Sequence, residues 1–285
     1  MEEKEVNDQN CTHNCDTCGV EGCGSRSAIE KIKPNAESSF KHTIGIISGK
    51  GGVGKSFVTS MLAVSLKRKG YKVGILDGDI TGPSIPKTFN IHEQASGDGE
   101  SFIFPATSKT GIKVISSNML LENETDPIIW RGTLISSLLK QFYTDVLWEE
   151  LDYLLIDMPP GTGDITLTAF QSIPLDGVII VTSPQDLVSV IVRKAVNMAK
   201  QMNIKVLGLV ENMSYVECPK CSEKIEIYGK SHADDIALKE GISLLGRVPI
   251  KLGVSDLVDE GRIEEVQIKE FDEIVKKIMW GIFYD

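Results

Sequence analysis

No stretch of the 285 residues stays apolar for long enough to span a bilayer, and Met1-Glu2-Glu3-Lys4-Glu5 lacks the basic start and apolar core of a secretory leader. Positive charge is in short supply. The 30 Lys and Arg face 40 Asp and Glu, a net charge of −10 that disfavours non-specific binding to DNA or to anionic lipid. Internal repeats and low-complexity segments are also missing. These absences predict a cytoplasmic globular protein whose partners include neither nucleic acid nor membrane. In that reducing setting the six cysteines read as metal ligands rather than disulfides.

With 41% hydrophobic and 25% charged positions there is ample chain for a large core. Strands are predicted at Thr43 to Ser48, Lys72 to Asp77, Ile112 to Ser116, Asp152 to Asp157, Gly177 to Thr182, Lys205 to Val210 and Leu244 to Val248. Most are continuous apolar runs, as strands buried on both faces require. Helical spacing recurs between them at 55–69, 133–147, 185–202, 233–240 and 266–280. Alternation of this kind predicts an α/β fold with a doubly wound, mostly parallel sheet, whose ligand sits at the carboxyl ends of the strands. The expected division is a folded domain over 41–285 and a tail and linker over 1–40.

Gly49-Lys50-Gly51-Gly52-Val53-Gly54-Lys55-Ser56 is a phosphate-binding loop set between the first strand and the first helix. Its glycines let successive N–H groups face a phosphate, Lys55 can reach the β- and γ-oxygens of ATP, and the Ser56 hydroxyl can ligate Mg²⁺. Lys50 is surplus to that task, since Lys55 already serves it. A solvated loop lysine is one reading. The other is a charge delivered across a dimer interface to the partner's nucleotide, as an arginine finger is. On this loop the chain resembles the deviant Walker A ATPases, the class containing MinD, ParA and the nitrogenase iron protein.

Two carboxylates close the second strand. Asp79, further into the loop, is expected to orient the attacking water, and Asp77 to act on the metal side; ordinary turn chemistry is the competing explanation of Asp-Gly and Gly-Pro. Asp157 ends the apolar run 153–156, the position from which a carboxylate holds the Mg²⁺ hydration shell. Beyond it, Pro159-Pro160-Gly161-Thr162-Gly163 is a loop suited to sense the γ-phosphate and relay its loss to a helix beginning near Asp164.

The first 24 residues carry six carboxylates and one lysine, and cannot build a core. Cys11, Cys15, Cys18 and Cys23 lie there at spacing C-x3-C-x2-C-x4-C. Four thiols so close suit tetrahedral Zn²⁺ or a [4Fe–4S] cluster, and His13 adds a nitrogen on the zinc side. Cys218 and Cys221 are half a coordination shell, and a two-fold dimer would complete it. A zinc knuckle or a redox dithiol are the rivals for that pair.

Taken with Trp130-Arg131-Gly132, Asp157-Met158-Pro159-Pro160-Gly161-Thr162-Gly163-Asp164, Thr182-Ser183-Pro184-Gln185, Glu211-Asn212-Met213-Ser214 and Cys218-Pro219-Lys220-Cys221, the segment 77–84 resembles the motifs of the Mrp and nucleotide-binding-protein family of iron–sulfur cluster carriers. That resemblance covers nearly the whole chain. It implies an ATP-hydrolysing dimer that holds a [4Fe–4S] cluster and passes it to apo-proteins, with a second copy or a related chain as the other half. It also implies that Asn212 contacts the adenine and that the chain after Pro249 closes over it. Thr133 stands where the family pattern has proline. The alternatives are a zinc-binding P-loop ATPase and a positioning ATPase like MinD or ParA, the latter with the apolar end 278–284 as its membrane tip. Six cysteines favour the carrier, and the carboxylates around that end favour a core-packing helix.

Overall fold

The computed structural model describes residues 31–284 apart from 81, 98, 100–101, 121–131, 162 and 185–187. Cys11, Cys15, Cys18, Cys23 and His13, and Trp130 and Arg131 of the quoted motif, lie outside the described residues.

In chain order the elements are β1 Ser39–Ser48, α1 Lys55–Arg68, β2 Val73–Asp77, α2 Ile85–Thr88, β3 Ser96–Gly97, β4 Ile103–Phe104, β5 Ala106–Thr107, β6 Lys113–Ser116, α3 Gly132–Thr144, β7 Glu150–Asp157, α4 Asp164–Ser172, β8 Gly177–Thr182, α5 Val188–Gln201, β9 Val206–Glu211, β10 Val216–Glu217, β11 Lys224–Ile225, α6 Ala233–Glu240, β12 Leu244–Arg247, α7 Val254–Asp259 and α8 Glu270–Tyr284. Eight strands form one sheet in the order β12-β9-β8-β1-β7-β2-β6-β5. Every pairing in it is parallel except that of β5 with β6 at the edge. β2 and β8 are buried at every position, which requires cover on both faces of the sheet. Helices supply it, with α1 against α8, α3 against α4 and α5 against α6.

This order puts the switch point at β1. The chain leaves β1 for β2 and β6, returns to insert β7 beside β1, then continues on the other side through β8, β9 and β12. The crevice where the direction reverses opens at the strand carboxyl ends, next to the loop that follows β1.

Several boundaries differ from those read in the sequence. β1 starts at Ser39 rather than Thr43, because Ser39, Phe40 and His42 pair with β7 while exposed or half-buried, so no apolar run marks them. α8 starts at Glu270 rather than Val266: Val266 is extended, and the acidic first turn of Glu270, Asp272 and Glu273 marks where the helix dipole begins. The two-residue strands β3, β4, β5, β10 and β11 are too short to carry periodicity. α8 buries Phe271, Ile274, Val275 and Ile278, the core-packing reading of that helix, although Trp280 is exposed. No helix among the described residues is long and apolar enough to cross a membrane.

Residues 31–38 lie along the body. Asn35 donates its side-chain amide to the carbonyls of Thr144 (2.9 Å) and Val146 (2.8 Å), and the Ile32 N–H reaches Ser172 O at 2.9 Å.

Candidate nucleotide and cysteine sites

The loop after β1 turns through Gly52 and Gly54, at φ 78° and 76°, a left-handed region that side chains rarely adopt. A Cβ on Gly54 would also stand 2.2 Å from the Asn212 amide nitrogen. Glycine is therefore required there by conformation and by space. Helix α1 starts immediately afterwards, so its unpaired N–H groups face the crevice. The Ser48 hydroxyl at the base of the loop is buried with no hydrogen-bond partner, a polar atom ready for an incoming ligand.

Lys55, Ser56 and Thr59 converge on one carboxylate. Asp157 is fully buried at the tip of β7; it receives the Lys55 ammonium at 2.7 Å, the Ser56 hydroxyl at 2.6 Å and the Thr59 hydroxyl at 2.7 Å. Thr59 was not among the residues singled out in the sequence. Its signal was position, one helical turn after Ser56 and on the same side.

Asp77 is the Cα partner of Asp157 across the β2–β7 pairing. The strand ends can close in because the Cβ-less Gly78 donates to Asp157 O at 2.8 Å, where a side chain would meet that oxygen at 2.9 Å. Burial, and then the negative charge of Asp157, push the Asp77 carboxyl up to about 7, against the pull of Lys55. Ser116 at 3.1 Å and the backbone N–H groups of Asp79 at 3.2 Å and Ile85 at 3.4 Å bond to it. Asp77 is thus enclosed behind Asp157. Asp79 instead reaches the crevice, 3.8 Å from the Lys55 ammonium.

The crevice has a volume of about 420 Å³. Residues 51–57 form its floor, and Asp79, Lys87, Pro160, Val258 and Asp259 stand on its walls. Lys50 is half-buried and does not belong to the lining of its own chain's crevice. Asn212 is buried beside the loop and donates to the Val53 carbonyl at 3.0 Å. Pro249 lines a separate depression, whereas the chain beyond it does reach the crevice, through Val258 and Asp259.

Cys218 and Cys221 sit in the turn between β10 and β11, where the Cys218 N–H bonds to Glu223 O at 2.9 Å and the Ser222 N–H to Cys218 O at 2.8 Å. Cys221 is exposed and Cys218 half-buried, neither in a disulfide. The backbone N–H groups of Lys220 and Cys221, followed by the Cys221 thiol, hold the Cys218 thiol below its ordinary range. Amides aimed at sulfur favour thiolate and suit a metal-binding turn. Among the described residues no group of three or more His, Cys, Asp or Glu is gathered as a metal site, so the pair alone is an incomplete shell. The two sites are joined directly, because seven residues of one segment carry both Asn212 and Cys218.

The family model of the NUBPL iron-transfer P-loop NTPases, a ParA family, matches residues 39–282. An iron–sulfur cluster carrier protein of Clostridium perfringens is 48% identical over 258 residues, covering 88% of this chain and 90% of that one. Among solved structures, a nucleotide-binding protein from Archaeoglobus fulgidus in complex with ADP is 42% identical, with a TM-score of 0.73 over 82% of this chain and 91% of that one. The cell division ATPase MinD of Pyrococcus furiosus shares the fold, at a TM-score of 0.61 and 20% identity over 84% of this chain and 98% of that one.

Proposed function

The chain belongs to the NUBPL iron-transfer P-loop NTPase family, and from that premise we propose that it is an ATP-hydrolysing carrier that holds a [4Fe–4S] cluster between two copies and passes it to apo-proteins. The observation that carries this reading is that one short segment holds both Asn212, bonded to the phosphate loop at Val53, and the two-thiol turn that begins at Cys218. A positioning ATPase has a use for the first and none for the second.

The crevice suits ATP and Mg²⁺. Left-handed glycines, the start of α1 and the orphan Ser48 hydroxyl offer donors to phosphate, and Ser56 with Asp157 offers a hydroxyl and a carboxylate to a hard cation. Bound Mg²⁺ would supply neutralising charge to the phosphates. Lys55 would leave Asp157 for the β- and γ-oxygens, and Asn212 would face the adenine. Asp79, on the wall of the crevice, would orient the attacking water. Lys50 would act on the other copy's nucleotide. The cluster is the cargo, held by Cys218 and Cys221 from each copy. The amino-terminal cysteines are a second, separate metal site, for iron–sulfur or zinc.

Anaerobic purification with iron, sulfide and zinc analysis, coupled to sedimentation, tests this. The expected result is four iron and four sulfide per dimer at the Cys218 and Cys221 site, lost together with the metal-dependent dimer in Cys218→Ala. Zinc in place of iron, or unchanged iron and dimerisation in both Cys218→Ala and Cys221→Ala, would overturn the shared cluster.

A further inference from the structure

We propose that Met213 is a positioning residue whose left-handed backbone braces the cysteine turn against the phosphate loop, so that nucleotide in the crevice sets the mobility of Cys218 and Cys221. The functional meaning rests on the carrier reading above, but the geometry does not.

Met213 has φ 57°, a conformation disfavoured for a long side chain and maintained only where the surroundings hold it. What holds it is the nucleotide site. On its amino side the Asn212 amide is bonded to the Val53 carbonyl of the loop, and the Met213 methyl lies 3.4 Å from where a Cβ on Gly54 would be. On its carboxyl side the Ser214 hydroxyl donates to the buried Glu211 at 2.5 Å, and the Ser214 N–H to Val248 O at 2.9 Å. Two residues further, Val216 enters β10 and pairs with Ile225 of β11, as Glu217 does with Lys224, which closes the cysteine turn.

A second arm meets the same segment. Ile250 donates to Tyr215 O at 2.8 Å and bridges to Val216, and from there the chain continues into Val258 and Asp259 on the crevice wall. The base of the turn is therefore clamped from two sides, one reaching the phosphate loop and the other the crevice wall. On its far side a cleft of about 360 Å³ lies between Lys224 and Glu226 of the hairpin and Leu245, Arg247 and Glu273 of the body, and the Tyr215 hydroxyl spans it to Glu270 at 3.2 Å, so the hairpin beyond Tyr215 faces the cleft.

Ordering the loop on phosphate fixes Val53, and with it Asn212. Methionine at φ 57° occupies a narrow backbone well, so that fixation passes to Ser214 and β10. Glycine would have many wells and would absorb it.

Hydrogen exchange of the full-length chain, with and without saturating Mg-ADP, is the test. The amides of 216–224 should exchange about tenfold more slowly with ADP, within the usual range of coupling between sites. Met213→Gly should keep ADP affinity within about twofold and lose that protection, whereas Met213→Asn, which tolerates the left-handed region, should retain it. Should Met213→Gly fail to fold by circular dichroism, a Gly-Gly insertion between Val216 and Glu217 takes its place and should abolish the ADP effect at 218–224 only. No protection in the parent, full protection in Met213→Gly or in the insertion, or its loss in Met213→Asn would each overturn the proposal. The readout needs no metal, so a chain that binds no iron would sink the carrier reading and leave this one standing.

Discussion

Asp77 shows what burial does to one residue. Its carboxyl is raised to about 7 by desolvation and by Asp157, so the folded chain holds a proton there that the unfolded chain releases near the ordinary carboxylate value. Stability from this group is full below about 4 and is lost as pH rises through about 7, at most about 1.4 kcal/mol per pH unit. Asp77→Asn, neutral at all pH, should raise melting of the ligand-free protein over the parent by more at pH 8 than at pH 5, because the parent's loss has only begun at pH 5 and is complete above about 7. Equal melting shifts at both values would contradict the sign. Lys55 is the opposite case. It is buried on Asp157, so Lys55→Ala should abolish nucleotide binding and cost the ligand-free fold about 3 kcal/mol by unpairing a buried charge, measured by calorimetry and denaturant melts. The sequence displayed the pattern that placed Lys55, Ser56 and Asp157 in one site. It did not display Thr59 or Ser116, which carry no motif and matter only because the fold turns their hydroxyls onto Asp157 and Asp77.

At the scale of elements, the parallel strands were legible because a strand covered on both faces must be apolar throughout, as β2 and β8 are. β1 was half legible, since its first residues alternate at the sheet's rim. The β10–β11 hairpin was invisible as strand, yet its Cys-Pro-Lys-Cys turn was plain as chemistry. Nothing in local sequence could show that the hairpin is tied to the phosphate loop, because those bonds join residues more than 150 positions apart. The tail predicts independence of another kind. Removing residues 1–24 should lower metal per chain and leave ATP affinity within about twofold, since the phosphate contacts of the loop and α1 all follow β1. A large loss of affinity by titration calorimetry would contradict that, and X-ray absorption of the difference would tell iron from zinc.

At the scale of the whole molecule, Lys50 stands in the phosphate loop but does not line the crevice of its own chain. In the proposed dimer it lies against the partner's nucleotide and stabilises charge that develops only in the transition state. Lys50→Ala should therefore bind ATP with nearly unchanged affinity and hydrolyse it at least tenfold more slowly. Asp79→Asn should do the same for a different reason, a misoriented water. Mixing the two chains separates the cases. In a mixed dimer, the site with Asp79 on the Lys50→Ala chain receives a good lysine from its partner, while the other site has neither, so trans action restores activity at one site in two. Steady-state hydrolysis by purified mixed dimers should recover to about half of the parent rate if sites fire independently, and that of an unfractionated equal mixture to about a quarter, the statistical expectation for symmetric dimers. Recovery confined to the parent chain and none in the mixture would place Lys50 in its own crevice, whose lining does not include it here.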